Sequence, residues 1–239
     1  MPIYLPELDI KSNIFPAITS ALIEPDGLLA MGGDLSTQRI ISAYRSAIFP
    51  WFNADQPILW WSPSQRATLK PSDVHISKSM KKNIAKDDFS ISINVAFNDV
   101  IQACAAPRKD QNGTWISERM IAAYNKLHQQ GFAHSVEVWS ENVLIGGLYG
   151  VCVGSLFCGE SMFSKQKNGS KIAFIALCQH FCRFQGLLID CQMLTEHLQR
   201  FGVQETARAD FSDALKKYKN IAVDKACWAK QSIELIKTK

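Results

Sequence analysis

Two apolar segments of this chain each contain a carboxylate at a position where core residues are expected. Glu160 lies within residues 156–164, and Asp190 lies within residues 187–192, with Gln192 two positions after it. Because desolvating a carboxylate is costly unless it is paired or hydrogen-bonded, such residues are usually functional or tightly satisfied. Both lie near the ends of predicted strands, where α/β enzymes build their sites. The sequence therefore predicts an enzyme with a substrate pocket between the two strands.

Composition and hydropathy indicate a globular, soluble intracellular protein. Of the 239 residues, 47% are hydrophobic, and no apolar run approaches the roughly 18 residues of a membrane span. The N-terminus has no basic region followed by an apolar stretch, so no secretory signal is predicted. We expect one large domain, or a medium domain with a small one attached, in the cytoplasm and without a membrane partner.

Cysteine usage predicts reduced thiols. The seven cysteines form no Cys-x-x-Cys pair, and most lie in apolar runs, where a free cysteine behaves as a small hydrophobic residue. Cys178, His180 and Cys182 are closely spaced, but only the two cysteines would share a helix face, and no second ligand pair is nearby. We therefore expect no metal site and no cofactor.

The composition and element pattern of the chain change near residue 65. This change predicts a small N-terminal domain (residues 1–64) and a larger second domain (residues 65–239). The first part is rich in proline, glycine and aromatic residues, whereas strands and helices alternate in the second. This pattern predicts an α/β (α+β) fold. Strands are predicted at 89–95, 135–139, 143–151, 154–158 and 187–190, and helices at about 36–44, 117–130, 170–184 and 194–201. The last dozen residues are expected to fray.

Basic residues are unevenly distributed, although the net charge is only +4. Between residues 66 and 86 there is one acid, Asp73, against six basic residues: Arg66, Lys70, Lys78, Lys81, Lys82 and Lys86. Such a cluster can neutralise phosphates, and a solvated helix face can have the same composition.

The loop before the predicted helix at 170 has some features of a phosphate site. Residues 166–171 half-match the pyrophosphate-binding loop of acyl-coenzyme A acetyltransferases, with Lys171 in place of the second small residue. The lysine weakens a close backbone cradle and adds a long cationic arm at a helix N-terminus. This change favours a bulkier phosphate-bearing donor over coenzyme A.

Glu160, Asp190 and Gln192 are the candidate reactive residues, and each has a structural alternative. Glu160 can act as a general base or bind a cationic group, or a salt bridge to Lys165 or Lys171 can satisfy it. Asp190 and Gln192 are predicted on one strand face, where the aspartate can orient the amide, accept a proton or hydrogen bond from an attacking amine, or satisfy a neighbouring loop. No Gly-x-Ser-x-Gly, Walker or His-Glu-x-x-His motif is present, so transfer without a covalent enzyme intermediate is favoured.

Seven segments of the chain resemble those of leucyl/phenylalanyl-tRNA–protein transferases. They are collinear from about residue 24 to about residue 192. The segments are Pro25-x-Gly27-Leu28-Leu29-Ala30-x-Gly32-Gly33-Asp34-Leu35-Ser36, Phe49-Pro50-Trp51-Phe52, Trp60-Trp61-Ser62-Pro63, Gly113-Thr114-Trp115-Ile116, His134-Ser135-x-Glu137-Val138-Trp139, Gly159-Glu160-Ser161-Met162-Phe163-Ser164 and Leu188-Ile189-Asp190-Cys191-Gln192.

The resemblance implies a bacterial cytoplasmic enzyme that moves leucine or phenylalanine, and less readily methionine, from its tRNA. The acceptor would be the α-amine of a protein beginning with Arg or Lys, and the product would be marked for N-degron proteolysis. The second domain would resemble the GNAT acetyltransferase fold.

The resemblance also implies roles for individual residues. Glu160 would bind the cationic side chain of the acceptor, and Gln192, held by Asp190, would position the attacking amine. The aminoacyl pocket would be lined by Phe157, Met162, Phe181, Ile189, Leu148 and Leu177. The terminal adenosine would lie near Trp51 and Trp115, and tRNA phosphates near Lys78, Lys81, Lys82 and Lys171.

Two residues differ from the pattern expected of the family, and two other functions stay as alternatives. Leu148 and Leu177 stand where the family is expected to carry Met and Phe, which leaves the preference among amino acids undetermined. An acyl-coenzyme A N-acetyltransferase is the alternative enzyme, and Lys171 argues against it. A non-catalytic RNA-binding module would use the aromatics and the basic cluster, but it would leave the candidate reactive residues unexplained.

Overall fold

The computed structural model describes residues 5–86, 88–107 and 114–236, which form a mixed α/β structure with two sheets. Its helices are α1 (Thr37–Tyr44), α2 (Lys78–Ile84), α3 (Phe97–Ala105), α4 (Glu118–Gln129), α5 (Gly169–Arg183), α6 (Glu196–Gln199) and α7 (Arg208–Tyr218). Its strands are β1 (Glu7–Leu8), β2 (Leu28–Gly32), β3 (Phe49–Pro50), β4 (Leu59–Trp61), β5 (Gln65–Leu69), β6 (Ser90–Ile93), β7 (Ala133–Ser140), β8 (Val143–Val153), β9 (Leu156–Ser164), β10 (Leu188–Asp190), β11 (Gln204–Ala207) and β12 (Gln231–Ile233).

The two sheets divide the chain between Trp61 and Gln65. The small sheet has the order β1-β2-β4-β3, and the large sheet has the order β11-β5-β10-β9-β8-β7-β6-β12. Within the large sheet β9 and β10 are parallel, while its other neighbouring strands are antiparallel. The small sheet does not have a separate core, because Trp60 and Ile40 belong to the same buried cluster as Phe97 and Tyr124. The domain boundary at residue 64 therefore stays a prediction.

The large sheet separates two hydrophobic cores. Leu148 packs in the core with α5, whereas the next residue, Tyr149, packs in the core with α3 and α4. Because successive side chains of a strand point to opposite faces, these two cores lie on opposite faces of the sheet.

The hairpin of β8 and β9 contains a bulge. Tyr149 pairs with Ser161 and Gly150 pairs with Gly159, so Glu160 is the extra residue on its strand. A bulge of this kind changes the direction of a side chain. Here it turns the Glu160 side chain towards the core that contains α3 and α4. Gly146 meets protein backbone rather than leaving room for a ligand, since a Cβ atom there would lie 2.4 Å from the Gly169 carbonyl carbon.

Most predicted elements are confirmed, with boundaries moved by a few residues. Ser36 caps α1 and Ser117 caps α4, each accepting a backbone N–H with its side chain. The helix predicted at 194–201 is shorter, because Thr195 caps α6. The expectation of a frayed C-terminus is wrong for residues 231–233, which pair with β6 as an edge strand. In the described ranges, no helix has the length and apolarity needed to cross a membrane.

Candidate active site

The site lies where β9 and β10 diverge. The two strands pair only between Leu188 and Asp190, opposite residues 156–158. Beyond Asp190 the chain turns towards β5, where Cys191 donates to the Ala67 carbonyl at 2.8 Å. A cavity of about 810 Å³ opens along residues 159–164 of β9 and is lined by Glu160 and Gln192. The prediction of a pocket between these two strands is confirmed.

A buried ion pair stands behind this cavity. Arg66 donates from Nε and Nη2 to the two Asp190 oxygens at 3.0 and 2.6 Å, and from Nη1 to the Ala47 carbonyl at 2.9 Å. Its guanidinium lies between the rings of Phe49 and Phe211, 4.8 and 4.6 Å from their centroids. Both charged side chains are fully buried, and the fork geometry gives the carboxylate two charge-assisted hydrogen bonds.

Asp190 holds the backbone of Gln192. Its Oδ1 atom accepts the Gln192 N–H at 3.0 Å, and Gln192 adopts a left-handed conformation with φ of 56°. Because left-handed backbone is unfavourable for residues other than glycine, the fixed carboxylate stabilises the turn. The expectation that Asp190 and Gln192 alternate along one strand face is wrong, since β10 ends at Asp190.

Glu160, not Asp190, orients the Gln192 amide. The amide Nε2 atom donates to Glu160 Oε1 at 3.0 Å, and a carboxylate can only face the NH₂ end of an amide. The Gln192 amide oxygen makes no hydrogen bond to the described residues and is left to accept one from a ligand. Gln192 is the residue through which the Arg66–Asp190 pair and Glu160 both act on the cavity.

Two tyrosine hydroxyls complete the surroundings of Glu160. Tyr44 donates to Oε1 at 2.6 Å, Tyr124 donates to Oε2 at 2.9 Å, and the two hydroxyl oxygens lie 2.7 Å apart. When both hydroxyls donate to a charged Glu160, no proton is left for the contact between them. When Glu160 is protonated, its carboxyl donates to one tyrosine, that tyrosine donates to the other, and the second tyrosine donates back to the carboxyl. Among the described residues Glu160 has no salt bridge, and the alternative of a pair with Lys165 or Lys171 is wrong.

The pKa values of Glu160 and the two tyrosines determine which arrangement of protons is present. Burial raises the pKa of Glu160 to about 7, against the opposing effect of the hydrogen bonds from Tyr44 and Tyr124. Burial and the neighbouring Glu160 raise the pKa of both tyrosines well above the usual range, so they stay protonated. Glu160 therefore changes charge near neutral pH.

The wall of the cavity on the α5 face is apolar. Four predicted pocket residues line it, namely Leu148, Met162, Leu177 and Ile189. Phe174, one turn before Leu177 on α5, also lines it and was missed, because several positions of this almost wholly buried helix have similar apolar neighbours.

Phe157 and Phe181 do not line the cavity, which corrects the prediction for these two residues. Both are fully buried, and their rings lie 6.2 Å apart in an edge arrangement. Trp228 packs on both, at 5.4 Å from Phe157 and 5.7 Å from Phe181. They support the pocket from behind.

A basic groove adjoins the apolar cavity. Its volume is about 820 Å³, and among the described residues that line it there are five basic side chains and no acidic one. The basic side chains are Lys82, Lys86, Lys167, Lys171 and Arg200. The predicted phosphate contacts Lys82 and Lys171 thus face one groove, while Lys78 and Lys81 lie on α2 outside its wall. Of the basic residues between 66 and 86, Arg66 cannot contact a phosphate in this groove, because its side chain is buried in an ion pair with Asp190.

The two predicted adenosine-stacking tryptophans lie outside the apolar cavity. Trp51 is 36% exposed and lies 5.5 Å from Trp61, ring to ring. Trp115 is partly buried against the core of α3 and α4. Gly113, from the same predicted motif, lies outside the described residues. Their role stays a prediction.

Three residues of the site were missed, because no local sequence pattern marks them. Tyr44 and Tyr124 lie on different helices, and each is on an apolar helix face. Such a position predicts a core residue and does not indicate a role in the site. Arg66 was assigned to a surface cluster by its neighbours in sequence. Within the described ranges, no group of three or more His, Cys, Asp or Glu side chains could hold a metal ion.

The buried pair generates a stability prediction. Arg66→Met leaves Asp190 buried without a counter-charge, so the free energy of unfolding should fall by about 3–5 kcal/mol, measured by urea denaturation. Lys216→Met is the matched control, because it breaks an exposed pair with Asp213, and it should leave the urea midpoint unchanged. Equal midpoints for the two variants would contradict this account of the pair.

Comparisons with known proteins agree with the geometry. The family model described as "Leucyl/phenylalanyl-tRNA protein transferase" matches residues 68–216, and the model of that family's N-terminal domain matches residues 33–64. The leucyl/phenylalanyl-tRNA–protein transferase of Psychromonas ingrahamii is 67% identical over 98% of both chains. That of Tolumonas auensis is 49% identical over 98% of this chain and 100% of its own.

A structural likeness to L-PGS from Bacillus licheniformis is much weaker. It has a TM-score of 0.40 and 14% identity, covering 71% of this chain and 57% of that chain, and it carries no argument. The family models and the relatives are decisive, and this chain belongs to the leucyl/phenylalanyl-tRNA–protein transferase family.

Proposed function

We propose that this protein transfers leucine or phenylalanine, and less readily methionine, from aminoacyl-tRNA to the N-terminal α-amine of proteins that begin with Arg or Lys. The products would be marked for N-degron proteolysis in the cytoplasm. The observation that carries the proposal is the free Gln192 amide oxygen, held at the junction of an apolar cavity and a carboxylate.

The acceptor side of the site has the chemistry to bind a cationic residue. Glu160 Oε1 accepts from Tyr44 and Gln192, whereas Oε2 accepts only from Tyr124 among the described residues. Because each carboxylate oxygen has about two acceptor sites, Oε2 can accept a further hydrogen bond from a guanidinium or ammonium group.

The donor side combines an apolar pocket with a phosphate path. The walls formed by Leu148, Met162, Phe174, Leu177 and Ile189 suit a leucyl or phenylalanyl side chain. The adjoining basic groove can neutralise phosphates of the tRNA acceptor end. The donor side chain and the acceptor cation would thus approach from opposite faces of the sheet and meet where β9 and β10 diverge.

The transfer itself needs no covalent enzyme intermediate. The neutral α-amine attacks the ester carbonyl, the new C–N bond forms, the bond to the ribose oxygen breaks, and the amine proton ends on that oxygen. Gln192 would accept a hydrogen bond from the amine and direct its lone pair at the carbonyl. Asp190 would be a positioning residue, because its oxygens are occupied by Arg66 and the Gln192 backbone.

The two parts of the chain would contribute differently to the site. Residues 1–64 would form a small N-terminal domain that supplies Tyr44 to the site. Residues 65–239 would form a catalytic domain of the GNAT type, in which a split between two parallel strands receives the donor.

Transfer of radiolabelled leucine tests the function directly. Label should move from leucyl-tRNA to a peptide beginning with Arg and not to the same peptide with its amine acetylated. Gln192→Ala should lower kcat by about 100-fold, the cost of a misplaced nucleophile. Labelled acetyl-coenzyme A should give no transfer. Transfer from the thioester, with none from the tRNA, would replace the proposal with the acetyltransferase alternative.

The charge of Glu160 generates a pH prediction. Its pKa is raised to about 7 by burial, so the carboxyl is charged above that pH and neutral below it. A peptide with desamino-arginine at its N-terminus keeps the guanidinium but cannot react. Its Kd should rise on going from pH 8 to pH 6, approaching about tenfold per pH unit below the pKa. Glu160→Gln should bind weakly and independently of pH, whereas a flat wild-type profile would remove Glu160 from the acceptor site.

A further inference from the structure

The apolar cavity and the basic groove share one residue, His197. It lies on α6, next to Leu198, which also lines the cavity, and three residues before Arg200, which lines the groove. Among the described residues, His197 is therefore the side chain that both spaces contact. His197 has no part in the reaction as derived so far.

The His197 ring is held but not chemically satisfied. Its edge packs on Phe201 at 5.4 Å between centroids, and its Nε2 atom is enclosed without a hydrogen-bond partner among the described residues. Enclosed polar atoms normally have a partner, so an unpaired nitrogen at a cavity junction indicates a ligand group.

The local charge identifies the kind of ligand group. Burial, followed by repulsion from Lys171 and Arg200, lowers the pKa of His197 below its ordinary value. The ring is therefore a neutral hydrogen-bond donor in a positive field, and an anionic group would be attracted to the field and accept from the ring.

We propose that His197 donates a hydrogen bond to a phosphate between the last nucleotides of the donor, where the single strand passes from the basic groove into the apolar cavity. This inference rests on the proposed function. If the cavity holds the aminoacyl side chain, the ester would hold the terminal ribose at its mouth, which would bring the first internucleotide phosphate to the junction. Lys82, Lys86 and Lys167 then serve phosphates further along the groove.

Donors of increasing length test the inference. Leucine would be supplied as the ester of adenosine, which has no phosphate, as the ester of the trinucleotide CCA, and as leucyl-tRNA. His197→Phe keeps a ring on Phe201 and removes both ring nitrogens. We expect its KM to rise about tenfold for the trinucleotide and for the tRNA, as for a lost hydrogen bond to a charged group, with no change for leucyl-adenosine.

His197→Gln keeps a donor and should recover part of the loss with the trinucleotide. An equal loss on all three donors would make His197 a structural residue and overturn the inference. Unchanged kinetics with the trinucleotide would overturn it as well. Wild-type transfer from leucyl-tRNA is measured in the same series, so a failure of the proposed function, with no transfer at all, is distinct from either result.

Discussion

The buried ion pair between Arg66 and Asp190 joins the parts of the molecule from which the active site is made. Arg66 belongs to β5, its partner ends β10, and its remaining amino group binds the carbonyl of Ala47 in the N-terminal part of the chain. A buried pair of this kind is costly to desolvate and costly to break. Its effect here is geometric, because the fixed Asp190 carboxylate holds Gln192 in a left-handed turn.

The split between β9 and β10 depends on that turn and gives the site two sides. The bulge of β9 turns the Glu160 side chain to one side of the sheet, where it accepts hydrogen bonds from hydroxyls of α1 and α4. The apolar pocket forms on the other side, against α5. Gln192 spans the split through its amide. Under the proposed function, a cationic acceptor and an apolar donor side chain would therefore reach the same amide oxygen without sharing a binding surface.

The sequence was sufficient for the parts of this arrangement that depend on local pattern. The alternation of strand and helix patterns located most of the elements, and carboxylates in apolar runs located Glu160 and Asp190. It was insufficient where partners are distant in the chain. Arg66 pairs across 124 positions and was assigned to a surface cluster, and Tyr44 and Tyr124 read as core. Phe157 and Phe181 were placed in the pocket by the family resemblance, which does not show how deep each side chain lies.

The central claim is that Asp190 acts on the reaction only through Gln192. A double-mutant cycle on kcat for leucyl transfer tests this claim, using Asp190→Asn, Gln192→Ala and the double variant. The account predicts that the double variant is no slower than Gln192→Ala alone, because the aspartate has nothing left to position. Losses that multiply would show that Asp190 acts on the substrate directly, and would contradict the account.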